Sequence, residues 1–123
     1  VIEGHNIFKF DLPYLEARAR KHGLKLALGR DGSVVRSHPS RLQIAERLIQ
    51  YRKFEVHGRH VVDTLFLVQF HDVGARELES FGLKAAARHF GVAEDDRVEL
   101  GAREITEAHR ADRATFERYA LQD

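Results

Sequence analysis

Asp11 closes the run Phe8-Lys9-Phe10-Asp11 and directly precedes Leu12-Pro13-Tyr14-Leu15. A carboxylate at such a place has two uses. Aspartate is a favoured residue at a helix N-terminus, where free backbone N–H groups and the positive end of the helix dipole meet it. A carboxylate held in a cleft is also a ligand for a hard divalent cation, which prefers oxygen donors. At the other end of the chain Tyr119 and Asp123 stand four apart. On a helix that spacing puts both on one face. A phenol and a carboxylate so placed can hold a water and a metal together, although an isolated Tyr-x-x-x-Asp is more often a surface carboxylate beside a half-buried tyrosine. Asn6, alone, reads as a turn residue. Phe8 and Phe10 could stack a terminal base or pack in a core.

Other chemistries find little support. The eight histidines include no pair with helical metal-ligand spacing; His57 and His60 flank Gly58 in strand or loop. They read as surface or packing residues. There is no HExxH, and without cysteine there is neither a thiolate metal site nor a disulfide framework. Gly29-Arg30-Asp31-Gly32 is a turn, not a phosphate-binding loop, and no serine lies in a GxSxG context.

A length of 123 residues suits one small domain, and 43% hydrophobic residues suffice for a core. A charged fraction of 32% excludes a membrane span, and no apolar run approaches the length of one. The net charge of +1 argues against binding nucleic acid by bulk charge alone. Arginine far outnumbers lysine, which suits phosphate contacts but is equally a matter of composition bias. The chain opens at Val1 inside an apolar run, contains no methionine and stops at Asp123 within a helical pattern. It is therefore expected to be a piece of a longer polypeptide.

The elements that must position these residues are set by periodicity and punctuation. Val1-Ile2 reads as the end of a strand. Leu12, Leu15 and Ala19 recur at helical spacing, Pro13 fits a first helical turn and Gly23 a stop, giving a helix over about 12–22. The stretch 25–35 alternates around Asp31-Gly32, a hairpin signal. Residues 41–56 read mostly as strand, with a front half that could be helical. Val61-Val62 predicts a short strand that turns at Asp63-Thr64 into an apolar helix. Ser80 and Gly91 bracket another helix, and a last helix is expected from about Thr106, with Phe116, Tyr119 and Ala120 as its apolar stripe.

Taken together, these pieces resemble the DEDD superfamily of 3′–5′ exonucleases, and most closely the proofreading domain of family B DNA polymerases. Gly4, His5, Asn6, Ile7, Phe10, Asp11, Pro13, Tyr14 and Leu15 match its second exonuclease motif. Gly58-Arg59 with Asp63, and the helix led by Ser80 and Leu83, resemble its intervening segments, with Phe81-Gly82 replacing the usual tyrosine and polar residue. Tyr119 and Asp123 match the third motif. The resemblance spans nearly the whole chain in order and spacing.

The resemblance implies an α/β fold, a ribonuclease H-like mixed sheet flanked by helices and lacking its N-terminal strands. Residues 1–123 would form one partial exonuclease domain. It implies hydrolysis of phosphodiesters at DNA 3′ ends with two divalent cations, Mg²⁺ or Mn²⁺. Asp11 and Asp123 would be metal ligands, Tyr119 would orient the attacking water, and Asn6 and Phe10 would hold the terminal nucleotide or the motif's own geometry. Asp11, Tyr119 and Asp123 would thus form the catalytic set. The expected partners are single-stranded DNA or DNA 3′ ends, with a polymerase domain in the same chain as one option. One departure stands out. The first motif, Asp-x-Glu, occurs nowhere in these 123 residues. It is expected before Val1, and the piece alone is expected to be inactive. The competing reading is an inactive exonuclease fold that binds nucleic acid or scaffolds a partner.

Overall fold

In a computed structural model the chain is α/β, and the description covers residues 1–93, 98 and 100–122, leaving aside the side chains of residues 102 and 122. Two compact units divide it, residues 1–86 and 87–123. No helix among the described residues is long and apolar enough to cross a membrane.

The first unit carries every strand found among the described residues. Strand β1 (Ile2–Gly4) lies parallel to β4 (Val61–Asp63), with Gly4 opposite Asp63. Strands β2 (Arg36–Ile44) and β3 (Arg47–Glu55) form an antiparallel hairpin, with Ile44 opposite Arg47. Parallel and antiparallel pairing therefore both occur, in two separate two-stranded sheets rather than one mixed sheet among the described residues. Helix α1 (Asp11–Lys21) comes after β1, and α2 (Thr64–Ala75) after β4. Helix α3 (Leu83–His89) comes after an irregular stretch.

The core of this unit joins the two sheets to α1 and α2. Ile7, Phe8, Leu12, Ile44, Phe54 and Phe66 form one buried cluster. Leu12 and Phe54 are each only 1% exposed, and burying such side chains contributes roughly 1.5–3 kcal/mol apiece. Phe8, Tyr51 and Phe66 meet ring to ring, with centroids 5.1 to 6.2 Å apart. On the outer side Arg52 of β3 grips Glu16 of α1 through two bonds, at 2.9 and 3.3 Å, while its guanidinium lies over the Phe54 ring. The helix is thus fixed on the hairpin by packing first and by an exposed fork second.

Several boundaries depart from the sequence expectation. Helix α1 ends as expected: Gly23 takes φ +66, and Leu24 N–H and Gly23 N–H return to Ala19 and Arg20 carbonyls, the Schellman geometry that favours glycine. The turn around Asp31-Gly32 forms, but no strands flank it. The Asp31 side chain takes the Ser33 N–H at 2.9 Å, and Arg30 N–H leaves for the His57 carbonyl. Two backbone bonds still cross the turn, Gly29 N–H to the Ser33 carbonyl and Val35 N–H to the Leu26 carbonyl, but local side-chain bonding keeps them from extending into a strand ladder. The true hairpin lies in 36–55, with no helical front half. Its turn is Ala45-Glu46, and Ala45 sits at φ +51. Pro39 is tolerated because a two-stranded sheet has only edge strands. The helix led by Ser80 starts later than that residue. Its hydroxyl accepts Gly82 N–H, and α3 begins at Leu83.

Among the described residues, two helices stand where one is expected at the end of the chain, α4 (Ala102–Ala111) and α5 (Arg113–Gln122). Asp112 breaks them. Its carboxylate accepts Thr115 N–H at 3.1 Å and Thr115 O–H at 2.6 Å, so it caps the start of α5. Phe116 and Tyr119 are partly buried in α5, whereas Ala120 is exposed and falls outside the apolar stripe. The Thr115 hydroxyl, followed by its N–H, holds the Asp112 carboxyl below its ordinary 3.8. A depressed value means the cap contributes fully above 3.8 and is lost as pH falls below it. Acid titration of helical circular dichroism should therefore show a loss below pH 3.8 that is absent in Asp112→Ala.

Candidate active site

The turn between β1 and α1 explains its own sequence. Gly4 ends β1, and a Cβ there would meet the Ile7 side chain at 3.2 Å, so glycine lets Ile7 fold back over the strand end. Asn6 takes φ +69, a left-handed conformation that asparagine adopts more readily than most residues. Its carbonyl then accepts Lys9 and Phe10 N–H, and the Ile7 carbonyl accepts Leu12 N–H. Ile7 and Phe8 anchor the turn in the core. Phe10 points the other way: it is 63% exposed and stacks on Tyr14 with ring planes 7° apart.

Asp63 holds this turn in place. It is 4% exposed, the sole charged residue in the described core. Its Oδ1 accepts Asn6 N–H at 2.8 Å and Leu65 N–H at 3.1 Å, and its Oδ2 accepts Phe8 N–H at 3.2 Å. One carboxylate therefore caps α2 and ties down the loop that precedes α1. The parallel register makes this possible, since Gly4 and Asp63 are paired at the same end of the sheet.

Asp11 is the first residue of α1, not its cap. The cap position belongs to Phe10, and no side chain bonds the free N–H groups there. The Asp11 carboxylate is partly exposed and takes no hydrogen bond or ion pair among the described residues. The Asn6 side-chain amide is likewise without a described partner, although its backbone N–H is committed to Asp63. The turn thus gathers Asn6, Phe10 and Asp11 within six residues, with Tyr14 one helical turn further on, and leaves the Asn6 and Asp11 polar ends open to a ligand.

Tyr119 lies on α5 in the second unit, partly buried. Asp123 lies outside the described residues. Among those described, no three histidines, aspartates or glutamates cluster as a metal site. Phe8, offered by the sequence for stacking beside Phe10, is instead core. Two site residues are not evident as such from spacing. Asp63 is legible as a turn, and an aspartate between an apolar strand and an apolar helix is a capping signal. His5 falls by sequence among the surface or packing histidines, yet its ring is bonded at both nitrogens. The hints in the sequence are its place directly before Asn6 and its match to the second motif.

No family model matches the chain. It is 33% identical over its whole length to the DNA polymerase delta catalytic subunit of Caenorhabditis elegans, covering 12% of that protein. It is 40% identical over 80 residues, 64% of the chain, to DNA polymerase 2 of Aeropyrum pernix, covering 9% of that protein. The chain spans about a tenth of the length of these curated relatives. It is thus similar in sequence to one stretch each of DNA polymerase 2 from the one organism and of the DNA polymerase delta catalytic subunit from the other.

Proposed function

We propose that the chain is a 3′–5′ exonuclease domain of a family B polymerase or of a free-standing relative, built on a ribonuclease H-like fold, that hydrolyses phosphodiesters at DNA 3′ ends. The observation that carries this is the Asp11 carboxylate, which has no partner among the described residues, on one pinned turn with an exposed aromatic pair and an asparagine amide that likewise has no described partner. DNA is the substrate favoured because both relatives are DNA polymerases.

An unpaired carboxylate with open oxygens fits a hard divalent cation. Asp11 would hold it with Asp123 and with carboxylates of a first motif that these 123 residues do not contain. Bound Mg²⁺ or Mn²⁺ ions supply activation of the attacking water and charge for the leaving 3′ oxygen. The remaining work falls to the chain itself. Phe10, stacked on Tyr14, offers the terminal base an aromatic face, a contact worth roughly 1–3 kcal/mol per base. Asn6 offers amide donor and acceptor groups to the terminal nucleotide. Tyr119 orients the water with its hydroxyl. Asp63 touches no substrate and keeps Asn6 and Phe8 in register.

The test of these roles is Tyr119→Phe in the full-length protein. Its loss should be partial, roughly 10- to 1,000-fold in single-turnover cleavage of a 3′-labelled single strand at saturating Mg²⁺, the range for one donor to a reacting oxygen. A variant as fast as wild type would make Tyr119 a packing residue. A large shift in the Mg²⁺ requirement would give it a metal role instead.

A further inference from the structure

His5 bridges two segments far from it in sequence. Its Nε2 lies 2.7 Å from the Phe81 carbonyl, and its Nδ1 lies 3.1 Å from the Thr64 hydroxyl. A carbonyl oxygen only accepts, so Nε2 carries the proton. The one proton of the Thr64 hydroxyl is then shared between Nδ1 of the neutral ring and the Gly4 carbonyl, to which it donates at 3.3 Å. The ring is thus tied to the start of α2 on one side and to the approach to α3 on the other.

These ties bear on the neighbouring turn. Asp63 receives the N–H groups of Asn6 and Phe8. These two bonds, with Ile7 and Phe8 buried in the core, hold the chain from Asn6 onward at one carboxylate. His5 supplies an anchor away from it, immediately before the left-handed Asn6. With both in place the backbone on either side of Asn6 is held, and with it the point from which its side chain leaves the chain.

We propose that His5 is a positioning residue: it aims the Asn6 amide at the terminal nucleotide, and so governs affinity for the strand rather than the hydrolytic step. This rests on the exonuclease reading, in which Asn6 contacts substrate. The variants are His5→Phe, which keeps the ring volume and loses both bonds, and His5→Gln, whose amide restores a donor and an acceptor. Each is compared with Asn6→Ala and with the His5→Phe/Asn6→Ala double variant. KM and kcat are measured on a single-stranded oligonucleotide in Mg²⁺ with the full-length protein.

His5→Phe should raise KM by about tenfold and leave kcat within about twofold, as expected for lost hydrogen bonds that act on binding. His5→Gln should recover most of that loss. In the Asn6→Ala background the same substitution should add no more than about twofold, because two residues acting through one contact are not additive. An undiminished effect in that background, a loss falling on kcat, or no recovery by glutamine would overturn the inference while the exonuclease reading stands. If His5→Phe fails to fold, Thr64→Val, which removes the Nδ1 partner together with the hydroxyl's contact to the Gly4 carbonyl, takes its place with the same criteria. A wild-type protein that does not shorten the strand would overturn the exonuclease reading, and this inference with it.

Discussion

Asp11→Asn should lower strand hydrolysis in the full-length protein by about 10³-fold or more, the equivalent of several kcal/mol of lost charge stabilisation at a metal. The same change should leave the fold nearly as stable as wild type. The second half of this expectation comes from the structure: the carboxylate takes no hydrogen bond among the described residues and is not the helix cap. Asparagine is nearly isosteric, so the backbone of the turn has no reason to move. The cost in stability should stay within about 0.5–1 kcal/mol, the value of a negative charge in the first turn of an exposed helix. Thermal melts and single-turnover rates on the same preparations check both halves. A variant that hydrolyses at the wild-type rate would remove Asp11 from the metal site.

Asp63→Ala should do the reverse. It should cost roughly 3–5 kcal/mol of folding stability, since three N–H groups at a buried carboxylate lose their acceptor and each unsatisfied donor costs about 1–3 kcal/mol. The discount from the full sum reflects water reaching the vacated space. Asp63→Asn should be milder, because one oxygen remains for two of the three donors while the new amide N–H₂ faces a third. Chemical denaturation of the chain should give the stability order wild type, then asparagine, then alanine. An alanine variant as stable as wild type would mean that the turn holds itself without the carboxylate, and that Asn6 is placed by something else. Two aspartates at the ends of neighbouring elements, one open and one enclosed, are thus expected to separate chemistry from architecture.

That separation is only half legible in the sequence. Pro13 and Gly23 bracket α1 with residues whose backbone chemistry admits few alternatives, and the structure places its ends within a residue of the expectation. The hairpin of 36–55 is hidden because its turn is Ala45-Glu46, with alanine in a left-handed conformation that its side chain does not advertise. Asp31-Gly32 sends a stronger turn signal, but only two backbone bonds cross it, Gly29 N–H to the Ser33 carbonyl and Val35 N–H to the Leu26 carbonyl, and no strand forms beside it. Asp112 reads as one polar residue in a helical run; only its bonds to Thr115 reveal that it starts a second helix. At the site, Asn6 and Asp11 can be named from the motif they match, yet their roles in the turn cannot. Phe8 and Phe10 are indistinguishable by type, and the tertiary fold buries one and exposes the other. The histidine that matters, His5, has partners 59 and 76 residues away. No local pattern encodes contacts of that range.

Whether this turn serves removal of nucleotides from a 3′ end is tested most directly on a 5′-labelled single-stranded DNA. The strand is incubated with the full-length protein and Mg²⁺, sampled over time and resolved by length. The expected result is a ladder that shortens one nucleotide at a time from the 3′ end, abolished by chelation and by Asp11→Asn. A strand that is bound but stays full length, or one cut internally, would contradict it; the first of these would identify a domain that holds nucleic acid without hydrolysing it.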